Sequence, residues 1–213
     1  MTQHPAIAID GPAASGKSTV ARLVAQKLGY TFINTGAMYR AYTWYVLQPG
    51  VDVDDAAAVE MMVETAPIEY GSRDSHSTVV FEGRELGDEL QQPEINTAVS
   101  KVAAIPAVRA HLVRKQREYR QQGPVVMEGR DIGSVVFPDT PFKYYIDASE
   151  EVRTARRAAQ GLTDSIAERD RKDSSRATAP LKVAEGAHVI DSTYMTIDEV
   201  VDTVVGDINS RLN

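Results

Sequence analysis

The chain has 213 residues, with 30 acidic against 23 basic side chains, a formal net charge of −7, 43% hydrophobic residues and no cysteine. That length supports one substantial core with small insertions rather than two independent domains. The composition is that of a globular protein; it argues against a broad nucleic-acid surface and excludes a disulfide framework, thiol chemistry and thiolate metal sites, and no stretch is apolar and long enough to cross a bilayer.

The opening segment MTQHPAIAID carries no signal-peptide pattern, so a cytoplasmic protein is expected. It runs directly into a predicted strand, Ala6–Asp10, which breaks into Gly11-Pro12-Ala13-Ala14-Ser15-Gly16-Lys17-Ser18, a complete GxxxxGK[ST] pattern followed by Thr19. Gly11 and Gly16 lack a Cβ, so the loop can turn tightly and aim successive backbone N–H groups at phosphate oxygens. Val20, Leu23, Val24 and Leu28 recur at helical spacing, which places a helix N-terminus against the same anion. Lys17 can then reach β- and γ-phosphates, and the Ser18 hydroxyl can ligate a nucleotide-bound Mg²⁺.

Further strands are predicted at Tyr30–Ile33, Val125–Glu128, Phe142–Asp147 and His188–Asp191, with helical patterns such as Gly36–Leu47 and Thr196–Leu212 between and after them. This alternation reads as α/β with a parallel sheet, in which ligands sit beyond the carboxyl ends of the strands. Between Leu47 and Val125 the pattern changes. Ile68–Tyr70 and Thr78–Glu82 read as antiparallel strands around a polar turn, Gly71–Ser77, and helical stretches Pro93–Val102 and Pro106–Gln121 lead back to the sheet. Such an insertion beside a phosphate loop suggests a binding lobe for a second substrate.

Between Arg153 and Arg176, seven basic residues (Arg153, Arg156, Arg157, Arg169, Arg171, Lys172, Arg176) face four acids (Asp164, Glu168, Asp170, Asp173). A solvated helix surface is the ordinary explanation for such a run. Arg169, Lys172, Asp173 and Arg176 nevertheless share one helical face at i, i+3, i+4 and i+7, where arginines could grip a phosphate while the carboxylate takes a hydroxyl. Arg130 and Asp131 lie between glycines just after a predicted strand, a place for a site rather than for packing. The residues alone leave Ser100 and Arg109 as ordinary helix-surface groups. His4, His76, His111 and His188 are scattered without ligand spacing.

In their order along the chain, IAIDGPAASGKST, INTGAMYRA, AVSKVAAIPAVR, EGRDIGSVVFPD, ERDRKDSSRATAPL and VIDST resemble the bacterial cytidylate kinases over essentially the whole length. The resemblance implies a P-loop NTP hydrolase fold with a five-stranded parallel sheet flanked by helices. It also implies one kinase domain with a core at 1–35, 110–152 and 177–213, a small α/β monophosphate-binding insertion at about 36–109 and a mobile helical lid at about 153–176. The implied activity is transfer of the ATP γ-phosphoryl group to CMP or dCMP, with Mg²⁺, by a monomer that needs no nucleic acid or membrane. On this reading Gly11 through Thr19, with Arg153 and Arg157, bind ATP. Thr35, Arg40 and Arg130 meet the sugar and phosphate of CMP; Ser100, Arg109 and Asp131 read the base. Arg169 and Arg176 serve phosphates, Asp173 the ribose hydroxyl, and Glu128 a Mg²⁺-bound water. Lys17, Arg130, Arg169 and Arg176 are the expected catalytic charges.

Cytosine offers an amine donor with N3 and O2 acceptors, which suits a carboxylate and a guanidinium, whereas uracil sets an acceptor oxygen against the carboxylate. The lid between Arg157 and Glu168 is shorter than in the longer bacterial members, and a poor seal predicts measurable ATP hydrolysis without acceptor. Two alternatives stand beside this reading. One is a kinase of another small acceptor such as UMP; the other is a nucleotide-dependent switch, for which neither an NKxD-like nor a DxxG motif is found.

Overall fold

The computed structural model describes residues 4–159, 161 and 165–212. The chain begins with β1 (Ala6–Asp10) and α1 (Lys17–Leu28), then β2 (Thr31–Asn34) and α2 (Thr35–Leu47). The insertion follows as α3 (Ala56–Met61), β3 (Ile68–Arg73), β4 (His76–Phe81), β5 (Arg84–Glu85), a 3₁₀ turn at Asp88–Gln91, and α4 (Pro93–Val102). It returns through α5 (Pro106–Gln122) to β6 (Val125–Gly129), a π-type turn at Ile132–Val136, and β7 (Phe142–Asp147). The remainder is α6 (Glu150–Ala159), α7 (Ile166–Ser174), β8 (His188–Asp191) and α8 (Ile197–Leu212).

Five parallel strands in the order β2-β6-β1-β7-β8 form the heart of the sheet. The central strands β1 and β6 are buried along their whole length and are nearly continuous apolar runs because both faces are covered, whereas the edge strand β8 buries only Ile190. The two-residue period divides β1 between the faces: Ile7 and Ile9 pack with Val20, Val24, Val204 and Ile208 of α1 and α8, while Ala6 and Ala8 join Val113, Tyr119, Ile132 and Val136 on the other side. β6 divides in the same way, with Val126 on the first face and Val125 and Met127 on the second. A further apolar cluster built by α2, α3, the hairpin strands, α4 and α5 fills the insertion.

The hairpin differs from expectation in two respects. Its strands extend to Arg73 and start again at His76, so the turn is only Asp74-Ser75, both with positive φ (50° and 62°). That is the backbone a tight two-residue hairpin demands, and polar residues on its exposed strand ends hid the pairing. β4 also pairs in parallel with β2 at Phe32 and His76, which makes the insertion a continuation of the main sheet. The segment Ala158 to Ala167, expected to form a short lid, includes positions outside the described residues.

Candidate active site

The phosphate loop is built by close packing at one end and handed turns at the other. A Cβ on Gly11 would lie 2.1 Å from the Ile146 carbonyl oxygen, so only glycine lets β1 leave the sheet this close to β7. Ala14 (φ 57°) and Gly16 (φ 89°) turn the chain left-handed and deliver it into α1. Lys17 is buried and donates to the Pro12 carbonyl at 2.9 Å. Burial, and then the neighbouring Arg130, push its ammonium down to about 7, with Glu128 acting in the opposite direction. Ser18 Oγ donates to Glu128 Oε1 at 2.9 Å, joining loop and β6 beneath the cleft.

The ends of β2 and β6 supply the facing wall. Asn34 caps α2 by accepting the Ala37 N–H at 3.0 Å, and Thr35 Oγ1 donates to the Glu128 carbonyl at 2.8 Å. Beyond β6, Asp10 accepts the N–H groups of Ile132 and Gly133, each at 2.8 Å, and so fixes the backbone immediately after Arg130 and Asp131. Burial nevertheless raises the Asp10 carboxyl to about 7, against the pull of those two bonds. Asp131 is ion-paired with Arg109, whose other nitrogen donates to the Ala103 carbonyl at 3.2 Å. The Arg109 guanidinium also lies 5.5 Å from the centre of the Tyr39 ring, a cation–π distance. Burial raises the Asp131 carboxyl, with Arg109 acting against it.

A second carboxylate, Asp173, joins α7 to both walls. It accepts from Arg130 Nε at 2.9 Å and from Ser100 Oγ at 3.4 Å, and it pairs with Arg176. Burial alone would lift its pKa, but Arg130 and Arg176 hold it below the usual carboxylate range. Arg169 is brought down to about 10 by burial and by the like charges of Arg130 and Arg40.

These groups line one cleft of about 300 Å³. Ala13, Ala14, Gly16, Lys17, Ser18 and Thr19 line it from the loop, and Thr35, Arg40, Ser100, Arg109, Arg130, Asp131, Arg157, Arg169, Asp173 and Arg176 line it as well. Gly11, Pro12 and Ser15 are buried and do not line the cleft. Arg153 also lies outside the cleft: its guanidinium is taken by the Ala148 and Ala13 carbonyls and by Asp170. Arg176 is not on the helical face that spacing gave it, since α7 ends at Ser174 and Arg176 reaches Asp173 from the turn beyond. Asn34, Tyr39 and Gln91 also line the cleft, and Asp10 supports it from β1. Asp10, Asn34 and Tyr39 lie within the segments IAIDGPAASGKST and INTGAMYRA, whereas Gln91 lies in none of the motif segments.

A family model described as cytidylate kinase matches residues 7–210. The chain belongs to the cytidylate kinase family. It is 42% identical to the cytidylate kinase of Geobacillus sp. (strain WCH70) over 223 aligned positions that cover 100% of both chains. It is 39% identical to that of Stutzerimonas stutzeri (strain A1501), covering 97% of this chain and 96% of the relative. Among solved structures, TT1252 from Thermus thermophilus aligns over 100% of both chains with TM-score 0.52 and 18% identity. A gluconokinase from Sinorhizobium meliloti 1021 aligns over 100% of this chain and 95% of its own with TM-score 0.50 and 15% identity. At those identities the structures speak to the fold alone.

Proposed function

We propose that this member of the cytidylate kinase family transfers the γ-phosphoryl group of ATP to CMP or dCMP, giving ADP and CDP or dCDP, within pyrimidine nucleotide metabolism. The observation that carries the reading is the buried Arg109–Asp131 pair in the same cleft as a complete phosphate loop. A carboxylate and a guanidinium held together can accept from the cytosine amine and donate to its ring acceptors. Ser100 adds a hydroxyl to that wall, and Thr35 and Arg40 meet the sugar and phosphate. The chain is read as a single kinase domain, with core, insertion at about 36–109 and lid at about 153–176, acting as a cytoplasmic monomer.

Gly11 through Thr19 cradle the ATP phosphates, Arg157 approaches them from the lid, and Arg153 supports them through the loop. No strong base is required, because this chemistry depends on alignment and on neutralising charge spread over the transferred group. Lys17, Arg130, Arg169 and Arg176 supply that charge, and Asp173 orients two of the arginines while offering an acceptor to the ribose. Mg²⁺ bound with the nucleotide would supply further positive charge to its phosphates. The Ser18 hydroxyl and Glu128 carboxylate are hard oxygen donors that would hold it, with the nucleotide providing most of its shell.

The test is ADP production from ATP and Mg²⁺ with CMP, dCMP, UMP and AMP as separate acceptors beside an acceptor-free blank. Turnover with CMP and dCMP well above the others is expected. Equal rates with UMP would leave a kinase but overturn the base assignment; no acceptor-dependent ADP would overturn the activity.

A further inference from the structure

Asp170 stands one residue beyond Arg169 on α7, yet its carboxylate is engaged away from the cleft. Oδ1 accepts the Ala13 backbone N–H at 3.1 Å, and Oδ2 forms an ion pair with Arg153 of α6. The same Arg153 nitrogen donates to the Ala13 carbonyl at 3.2 Å, and Arg153 Nε donates to the Ala148 carbonyl at 3.0 Å. Both backbone groups of one phosphate-loop residue are therefore held by a single ion pair that joins the two lid helices. The side chains are largely enclosed, 11% exposed for Arg153 and 17% for Asp170, so solvent screens the pair only weakly.

What this contact fixes follows from its position. Ala14, next along the loop, has φ 57°, a conformation that costs a side chain energy and persists only where its surroundings hold it. On α7, Asp170 is one residue from Arg169 and three from Asp173, so anchoring it fixes the rotation of the helix and the direction of both neighbours. We propose that Asp170 is a positioning residue: it fastens the lid helix to the phosphate loop through Ala13 and Arg153 and so sets the register in which Arg169 and Asp173 face the cleft. This rests on the phosphoryl-transfer reading above. Loosening this contact misaligns the transferred group without removing any group that contacts it.

The experiment compares Asp170→Ala, Asp170→Asn, Arg153→Ala and the Arg153→Ala/Asp170→Ala double variant in the full chain. Asp170→Ala is expected to lower kcat roughly 10²-fold while KM for CMP shifts less than about threefold, and to raise the share of ADP formed without acceptor. Amide hydrogen exchange should accelerate in the phosphate loop and in α7 together. Asp170→Asn keeps an oxygen for Ala13 but loses the charge for Arg153, and should fall between. The double variant should lose little more than the worse single one, because the two side chains act as a unit. Wild-type kcat in Asp170→Ala, faster exchange confined to α7, or a loss of kcat that merely tracks the folded fraction on thermal melting would each overturn the proposal. A wild-type protein inactive toward CMP would refute the kinase reading instead, and the exchange experiment would still decide whether the fastening exists.

Discussion

Asp131 is 5% exposed, and its partner Arg109 is buried with it. Replacing it by alanine would strand a buried guanidinium, at a cost of about 3–5 kcal/mol, and confuse recognition with folding. Asp131→Asn preserves the shape and exchanges an acceptor for a donor, which suits the uracil oxygen better than the cytosine amine. It should lower kcat/KM for CMP about 10- to 100-fold and raise that for UMP, given the 1–3 kcal/mol cost of a mispaired buried polar group. Steady-state kinetics with both acceptors checks this; unchanged selectivity would remove Asp131 from base recognition. Lys17 sets a pH dependence. Its ammonium is pushed down to about 7 in the free protein, and a bound triphosphate raises it again, so ATP binding takes up a proton above pH 7. ATP affinity should therefore be highest below about pH 7 and weaken as pH rises through and beyond it. Calorimetric titration in buffers of different ionisation enthalpy measures that uptake, and a proton count of zero at pH 8 would contradict it. The lysine was legible from GxxxxGK, whereas its depressed pKa was not, since burial and the approach of Arg130 are properties of the folded chain.

At the level of elements, strands and helices were read from period and punctuation, and the departures have local causes. α2 begins at Thr35 because Asn34 supplies a cap, and α3 is a short helix started by Asp55, which accepts the Ala58 N–H at 3.1 Å. α7 stops at Ser174, short of the arginine that its spacing seemed to include. The passage from β1 into the phosphate loop gives a sharp test. Gly11→Ala would put a Cβ 2.1 Å from a backbone oxygen of β7, where no flexible side chain can yield. A loss of about 3 kcal/mol or more is expected, at the upper end of overpacking costs, and should register in urea or thermal melting. A variant that melts like the parent would show that β1 and β7 can separate there.

For the whole molecule, Asp173 is where the parts meet: it holds Arg130 from the sheet, Arg176 from the lid and Ser100 from the insertion. Asp173→Asn leaves two arginines sharing one neutral partner. It should destabilise the fold by about 3 kcal/mol, the lower end of the cost of breaking a buried pair, and weaken CMP more than ATP. Urea melting and separate nucleotide titrations test both halves, and equal weakening of the two nucleotides would separate Asp173 from the acceptor. The sequence by itself determined what is contiguous: the loop from Gly11 to Thr19, the alternation that makes a parallel sheet, and the short motifs that place arginines and carboxylates at strand ends. Only the tertiary structure decided which of them touch. Ser18 finds Glu128 across 110 residues, Ile132 finds Asp10 across 122, and Ala13 finds Asp170 across 157. Local patterns report the periods of helices and strands, but a hydrogen bond between distant residues depends on sheet order and helix packing, which no short stretch of chain encodes.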